Sequence, residues 1–215
     1  MDDTTPGQYF EPSPKVASRP RTVQLALPDV TLALETDSGV FSAGGIDPGT
    51  KFLLLDAPAP PSGARQLLDL GCGYGPIALT LARRAPDAHV WGIDVNERAV
   101  GLCARNAAAA GLENVTAVTA ADGVPGDIRF DAIYSNPPIR VGKAALHDLL
   151  LAWLPRLAPA GHAYLVVQKH LGSDSLARWL SDQGWPTDRL SSRAGYRLLD
   201  VIRATDASTD PTGAD

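Results

Sequence analysis

The feature of this chain that most restricts its fold is a glycine-rich turn between a short apolar segment and a helical one. Residues 66–70 (QLLDL) predict a buried strand, and Gly71-Cys72-Gly73-Tyr74-Gly75 follows directly, before a helix predicted at 77–85. Glycine adopts backbone angles that a Cβ would forbid, so three glycines in five positions favour a tight turn whose backbone approaches a ligand. Pro76 suits the first helical position, where a backbone N–H is not needed.

The rest of the chain alternates short apolar segments with helical ones, which is typical of a parallel sheet with helices on both faces. Two alternating runs near the start of the chain (22–27 and 31–35) predict a β-hairpin. Strands are predicted at 66–70, 89–93, 115–119, 130–135, 163–168, 189–192 and 197–203, and helices at 77–85, 97–110, 144–157 and 175–182. We therefore expect an α/β fold: a doubly wound, mostly parallel sheet of seven strands with an N-terminal hairpin extension. Ligands of such sheets bind at the carboxyl ends of the strands.

Prolines and glycines indicate the boundaries of these segments. The residues Gly44, Gly45, Pro48 and Gly49 predict a loop, and the sequence at 159–161 (PAG) predicts the end of the helix at 144–157. A length of 215 residues fits one domain with ragged ends. We expect disordered tails at 1–15 and 206–215, an N-terminal extension at 16–63, and the main domain at 64–205.

Composition excludes several classes of protein. No apolar run approaches the ~20 residues of a membrane helix, and the acidic start lacks the features of a secretory signal, so we expect a soluble, cytoplasmic protein. Cys72 and Cys103 lack the spacing of a disulfide framework or zinc site, and we expect no metal. The net charge is −5, yet residues 140–203 hold nine bases and five acids. Charge alone does not identify the partner.

Acidic residues follow the second and third predicted strands. Asp94 comes 21 positions after Gly73, where an acid can accept hydrogen bonds from both hydroxyls of a ribose. Asp122, followed by Gly123, is placed to meet an adenine amino group. The GxGxG spacing, with Asp69 two residues before the first glycine, differs from the GxGxxG of dinucleotide-binding proteins. These features predict a site for an adenosine-containing ligand.

The fourth strand ends in Asn136-Pro137-Pro138-Ile139. An exocyclic amine on a purine is a poor nucleophile, because its lone pair is delocalised into the ring. The Asn136 side-chain oxygen and the Pro137 carbonyl can accept both N–H groups of such an amine and stabilise the positive charge that develops on it. The two prolines fix the backbone that presents these acceptors.

The segment Asp69-Leu70-Gly71-Cys72-Gly73-Tyr74-Gly75 resembles the first motif of class I S-adenosylmethionine-dependent methyltransferases. The resemblance covers roughly residues 66–203 and implies that Asp69 lies near the methionine part of the cofactor, that Asp94 holds the ribose, and that Asp122 holds the adenine. The cofactor-binding residues that follow are Asp69, Gly71, Cys72, Gly73, Tyr74, Gly75, Asp94, Val95, Asp122, Gly123, Asn136, Phe41 and Thr50.

The tetrapeptide at 136–139 resembles the NPPx motif of amino-group methyltransferases that act on adenine, guanine or a protein glutamine amide. This resemblance implies catalytic roles for Asn136, Pro137, Pro138 and Ile139. Many relatives have Tyr, Phe or Trp in the fourth position, where the ring stacks on the target base, whereas Ile139 offers only apolar contact. Arg140, Lys143 and Lys169 are candidate substrate-binding residues.

Residues 39–42 (GVFS) and 47–54 (DPGTKFLL) resemble the segment before the cofactor motif in small-domain methyltransferases, a group that includes the ribosomal RNA guanine-N2 methyltransferases. The resemblance implies that this stretch covers the cofactor, with Phe41, Asp47 and Thr50 in the wall. Bacterial members often carry a second, degenerate domain, and this chain resembles the single-domain version. Tyr196 and the tryptophans at 153, 179 and 185 are expected in the core or cap.

The leading hypothesis is methylation of guanine-N2 in ribosomal RNA, small subunit favoured, with ribosomal RNA or an assembled ribosomal subunit as partner. Protein glutamine-N5 methylation is an alternative, although such enzymes usually have Tyr where Ile139 stands. A relative that binds the cofactor and acts on a small molecule is a further alternative. No target-recognition domain of a DNA adenine enzyme is visible. The oligomeric state is not indicated.

Overall fold

The computed structural model describes residue 13, residues 15–119 and residues 123–203. Apart from residues 13 and 15, the tails expected at 1–15 and 206–215 lie outside this part of the chain, as does Asp122. The strands are β1 (Arg21–Ala26), β2 (Thr31–Thr36), β3 (Gln66–Leu70), β4 (His89–Ile93), β5 (Val115–Val118), β6 (Phe130–Ser135), β7 (Leu157–Gln168), β8 (Thr187–Arg193) and β9 (Tyr196–Ile202). The helices are α1 (Pro48–Asp56), α2 (Pro76–Arg84), α3 (Glu97–Ala109), α4 (Lys143–Trp153) and α5 (Ser173–Asp182).

A seven-stranded sheet in the order β5-β4-β3-β6-β7-β9-β8 forms the centre of the molecule, and β1 and β2 form a separate antiparallel hairpin. The strands from β5 to β7 are parallel, whereas β9 is antiparallel to both of its neighbours. The expected α/β fold with an N-terminal hairpin is thereby confirmed. The carboxyl ends of β3, β4, β6, β7 and β8 share one edge of the sheet, and β9 begins there.

Each central strand is buried on both faces, because helices cover both sides of the sheet. Successive side chains of a strand point to opposite faces, and β3 shows the result. Leu67 belongs to one hydrophobic core and Leu68 to the other, and both are fully buried. The first core also holds residues of α1, α2, α3 and the hairpin, and the second holds residues of α4 and α5.

The N-terminal hairpin is attached to α3 by polar contacts. The Asn106 side chain accepts from the Glu35 backbone N–H at 2.8 Å and donates to the carbonyls of Glu35 and Tyr74, both at 2.8 Å. Arg98 donates to the Ser38 carbonyl at 2.6 Å. These contacts place the segment after β2 beside the glycine-rich turn.

Three predicted boundaries are wrong. Pro48 and Gly49 do not belong to a loop but form the first turn of α1, since Asp47 caps the helix and proline suits its start. The helix expected at 144–157 ends at Trp153, followed by a 3-10 turn at Leu154–Arg156, because Pro155 cannot continue it. Strand β7, predicted to begin at 163, begins at Leu157 and runs through 159–161, where a register shift against β6 accommodates the proline and glycine.

Helices of the described residues are all too short or too polar to cross a membrane.

Candidate active site

A cavity of about 370 Å³ opens at the carboxyl edge of the sheet. Its wall combines residues at the ends of β3, β4, β6 and β7 with the segment between β2 and α1. From the β3–β4 side and the N-terminal segment come Phe41, Ser42, Asp47, Leu70, Gly71, Ile93, Asp94, Val95, Asn96 and Ala99. From the β6–β7 side and beyond come Asn136, Pro137, Pro138, Ile139, Leu149, Gln168, Leu171 and Tyr196.

Asp94 organises the β3–β4 side of the cavity. Its Oδ2 accepts from the Gly73 backbone N–H at 2.8 Å, and its Oδ1 accepts from the Asn96 N–H at 2.9 Å. Burial raises the pKa of Asp94 above its ordinary value, and the backbone N–H donors act in the opposite direction. A carboxylate oxygen accepts more than one hydrogen bond, so Asp94 still has acceptor capacity on the cavity side.

The glycine-rich turn wraps around the end of β4. The Gly71 and Cys72 N–H groups both donate to the Ile93 carbonyl, at 2.8 and 2.9 Å. Gly75 has φ +98°, and a Cβ there would lie 2.8 Å from the Cys103 sulfur. Only glycine therefore fits this position, which sets how closely α2 and α3 pack behind the turn.

The predicted cofactor residues divide between cavity wall and support. Those that line the cavity are Phe41, Gly71, Asp94, Val95 and Asn136. Those that do not line it are Thr50, Asp69, Cys72, Gly73, Tyr74, Gly75 and Gly123. Tyr74 is buried, and its hydroxyl donates to the Gly45 carbonyl at 3.1 Å. Gly123 packs on Val118: a Cβ on Gly123 would lie 2.8 Å from the Val118 Cβ.

Asp69 is fully buried beneath the turn. Its Oδ2 accepts from the Ala78 N–H at 2.9 Å, in the first turn of α2, and its Oδ1 has no hydrogen-bond partner among the described residues. Burial, with a smaller contribution from the charge of Asp94, raises the pKa of Asp69 to about 8. The side chain thus holds the start of α2 in place from behind the cavity wall.

Asn136 lies at the end of β6 with a defined amide orientation. Its Nδ2 donates to Asp47 Oδ1 at 2.7 Å and to Thr50 Oγ1 at 3.0 Å. A carboxylate can only accept hydrogen bonds, so the amide nitrogen must face Asp47. This leaves the amide oxygen as the acceptor that Asn136 offers to the cavity.

The acceptors around the Asn136 amide come from the start of α1. Asp47 caps this helix and accepts from the Thr50 N–H at 3.0 Å. Between them, Gly49 packs against Tyr196, and a Cβ on Gly49 would lie 2.6 Å from the Tyr196 ring. The first turn of α1 therefore fits tightly between β6 and β9.

Residues 137–139 form a rigid turn next to Asn136. The Pro137 carbonyl accepts from the Ile139 N–H at 2.8 Å and retains a second lone pair. Ile139 begins a 3-10 turn (Ile139–Val141) and packs on the second core beside Leu149. The side chain of Arg140 lies outside the described part of the structure.

Gln168 and Tyr196 are cavity residues that sequence analysis missed. They are paired across β7 and β9, and Gln168 Nε2 donates to the Tyr196 hydroxyl at 3.0 Å. Tyr196 lines the cavity and also packs against the first core, where the sequence predicted it, because β9 begins at the carboxyl edge. Lys143 and Lys169 are exposed and do not line the cavity.

The charge of the cavity suits a ligand that carries a positive charge. Its described lining contains the carboxylates of Asp47 and Asp94 and no lysine or arginine. A sulfonium group would be stabilised by these carboxylates, and hydroxyl groups could bond to Asp94. The residues present therefore fit S-adenosylmethionine, whose ribose bears hydroxyls and whose methylated sulfur is cationic.

The fold and this site define a class I S-adenosylmethionine-dependent methyltransferase. The sequence model of the methyltransferase small domain family matches residues 31–200, and the chain belongs to that family. The cofactor and the enzyme class predicted from the sequence are thereby confirmed.

Some curated relatives have about the same length as this chain, and others are about twice as long. The chain is 34% identical to uncharacterized protein YbxB of Bacillus subtilis (strain 168), over 89% of this chain and 96% of that protein. It is 35% identical to ribosomal RNA small subunit methyltransferase C of Hahella chejuensis, over 85% of this chain and 53% of the relative. The chain thus spans about half the length of the methyltransferase C proteins.

A solved structure agrees with these relatives. The T. thermophilus 16S rRNA N2 G1207 methyltransferase (RsmC), in complex with AdoMet and guanosine, matches with a TM-score of 0.75 and 29% identity. The match covers 89% of this chain and 52% of that chain.

Proposed function

We propose that this enzyme transfers a methyl group from S-adenosylmethionine to an exocyclic amine, the N2 of a guanine in ribosomal RNA of the small subunit. The observation that carries the proposal is the orientation of Asn136, whose amide nitrogen is held by Asp47 and Thr50. The two acceptors at the end of β6, the Asn136 oxygen and the Pro137 carbonyl, match the two N–H groups of an amine, whereas a hydroxyl has a single donor and a carbon nucleophile has none. The names of the relatives and of the RsmC structure support guanine and ribosomal RNA as target.

In this mechanism the chain positions the amine and stabilises the charge that develops on it. The Asn136 oxygen accepts one N–H and the Pro137 carbonyl the other, which directs the nitrogen lone pair toward the methyl donor. Both acceptors interact more strongly as the nitrogen becomes positive, so they favour the transition state over the ground state. The bound cofactor supplies an electrophilic methyl on a positively charged sulfur.

Proton release needs no dedicated base, because the methylated amine loses its proton after transfer. His170 is exposed and does not line the cavity, which agrees with this view. Asp94 binds the ribose in our proposal, Asp122 the adenine, and the turn at 71–75 the methionine part of the cofactor. Arg140, Lys143 and Lys169 contact the substrate, and the enzyme works in the cytoplasm, where ribosomal RNA is found.

The test is transfer of labelled methyl from S-adenosylmethionine to a panel of 30S subunits, 50S subunits, naked ribosomal RNA and total protein. Asn136→Ala serves as the inactive control and Asn114→Ala, which alters an amide remote from the cavity, as the matched active one. Nucleoside mass spectrometry identifies the product. N2-methylguanosine in small-subunit RNA is the expected outcome. Label confined to protein would refute the proposal in favour of glutamine methylation, and label in neither would point to a small-molecule substrate.

A further inference from the structure

A second, more open groove of about 620 Å³ lies beside the catalytic cavity, lined by Lys169 and residues 189–197. We call it the basic groove, because its lining holds one lysine and three arginines and no acidic residue. The sheet topology explains its position. Strand β8 runs parallel to β7, so its carboxyl end lies at the same edge as Asn136, and the Lys169 N–H donates to the Gly195 carbonyl at 2.7 Å.

Three of the four cations in the basic groove are available to a ligand. Arg197 is buried and forms an ion pair with Asp174. Lys169, Arg189 and Arg193 are exposed, and no carboxylate of the described residues lies within ion-pair distance of them. Three exposed positive charges around one groove favour a ligand with several negative charges.

Tyr196 lies between the two cavities, because it is a lining residue of both. A substrate whose amine reaches Asn136 is attached to a longer molecule, and that molecule has to leave the cavity. The route over Tyr196 leads directly into the basic groove. The groove also presents the hydroxyl of the exposed Ser192, and serine hydroxyls are common donors to phosphate oxygens.

We infer that the basic groove binds the phosphate backbone of the RNA strand that flanks the target nucleotide. Lys169, Arg189 and Arg193 contact phosphates, and the catalytic cavity takes the base. This inference rests on the proposed function in naming RNA as the substrate. Strand β8 is exposed or half-buried along its whole length, so both of its arginines are accessible to such a strand of RNA.

The experiment measures RNA binding without using methyl transfer. Fluorescence anisotropy of a short single-stranded RNA is followed against salt for the wild type and for the triple variant Lys169→Ala, Arg189→Ala, Arg193→Ala. A matched triple variant, Arg21→Ala, Arg65→Ala, Arg129→Ala, removes the same charge from exposed positions outside the groove. Circular dichroism and the affinity for S-adenosylmethionine verify that both variants fold.

Each phosphate contact to a single strand contributes about 0.7 to the slope of log affinity against log salt. Loss of three contacts should lower the slope by about 2, so that the wild type loses about 18-fold more affinity than the groove variant between about 50 and 200 mM salt. The matched variant should keep the wild-type slope. Equal slopes for the two triple variants would overturn the inference and would mean that the arginines only protect an edge strand from pairing.

The two proposals fail in different ways. If the wild type methylates ribosomal RNA and the groove variant binds RNA like the wild type, the basic groove is refuted and the function stands. If the wild type does not methylate RNA but the groove variant alone loses the salt dependence, the proposed reaction is refuted and the groove stands as an RNA-binding surface.

Discussion

Replacing Asp47 with serine tests whether the orientation of the Asn136 amide governs methyl transfer. Asp47 caps α1 through the Thr50 N–H and also accepts from Asn136 Nδ2 at 2.7 Å. Serine is a comparably good N-cap, but it has no carboxylate and a shorter side chain. Asp47→Ser therefore keeps the helix cap and removes the charged acceptor of the amide.

The expected size of the effect follows from the bonds that are lost. A hydrogen bond to a charged group contributes about 1.5–3 kcal/mol, which corresponds to a fall of about 10- to 150-fold in the methyl-transfer rate. Thr50→Val removes the neutral acceptor, worth about 1 kcal/mol or about fivefold. The largest loss is expected for Asn136→Ala, which removes the positioned oxygen itself and should raise the barrier to methyl transfer by about 3–4 kcal/mol.

The assay is single-turnover transfer at saturating cofactor, on the substrate identified by the panel above, with cofactor affinity measured by calorimetry. Asp47→Asn is the matched control, because asparagine also caps helices and keeps an oxygen that can accept from Asn136. The double variant Asp47→Ser, Asn136→Ala should be no slower than Asn136→Ala alone. Additive losses in the double variant, or full activity of Asp47→Ser, would refute the idea that Asp47 acts through Asn136.

Three further predictions concern the cofactor side and the support of the site. Asp94→Ala should weaken S-adenosylmethionine binding by about 10- to 150-fold in calorimetry, with Asp94→Asn intermediate; an unchanged dissociation constant would contradict the ribose assignment. Because the pKa of Asp69 is raised, the folded chain binds the Asp69 proton more tightly than the unfolded chain does. This contribution to the free energy of unfolding is complete below pH 3.8 and is lost as the pH rises to about 8. Asp69→Asn should therefore flatten the free energy of unfolding against pH over this range, and an unchanged profile from urea titrations would be evidence against the shift. Gly49→Ala places a Cβ 2.6 Å from the Tyr196 ring, so turnover should fall at unchanged helix content, and wild-type turnover would show that the tight fit is unimportant.

Most of the fold could be predicted from the sequence because the signals are local. Apolar strands such as β3 and β4, the turn at 71–75 and the helix α3 each depend on neighbours in the chain. Local signals fail where distant packing decides. Pro48 and Gly49 are typical of turns, yet they begin α1 because Asp47 caps the helix and Phe52 is buried in the first core.

The candidate site shows the same division. The positions of Asp94 and Asn136 follow from the rule that ligands bind where parallel strands end. The contribution of Tyr196 depends on which strand pairs with β7, and no local pattern contains that information. The supporting role of Asp69 likewise depends on the three-dimensional path of the turn at 71–75, which lies between Asp69 and the cavity.

The contacts between the N-terminal segment and the rest of the molecule also constrain the order of events during protein synthesis. The hairpin and α1 leave the ribosome well before their partners: Asn106 for Glu35, and Asn136 for Asp47, 89 positions downstream. Contacts with such long sequence separations form late, because the chain between them has to be ordered first. The first quarter of the chain therefore cannot form these contacts until β6 has been synthesised. The catalytic amide therefore cannot be aligned before β3, β4 and β6 have all been synthesised.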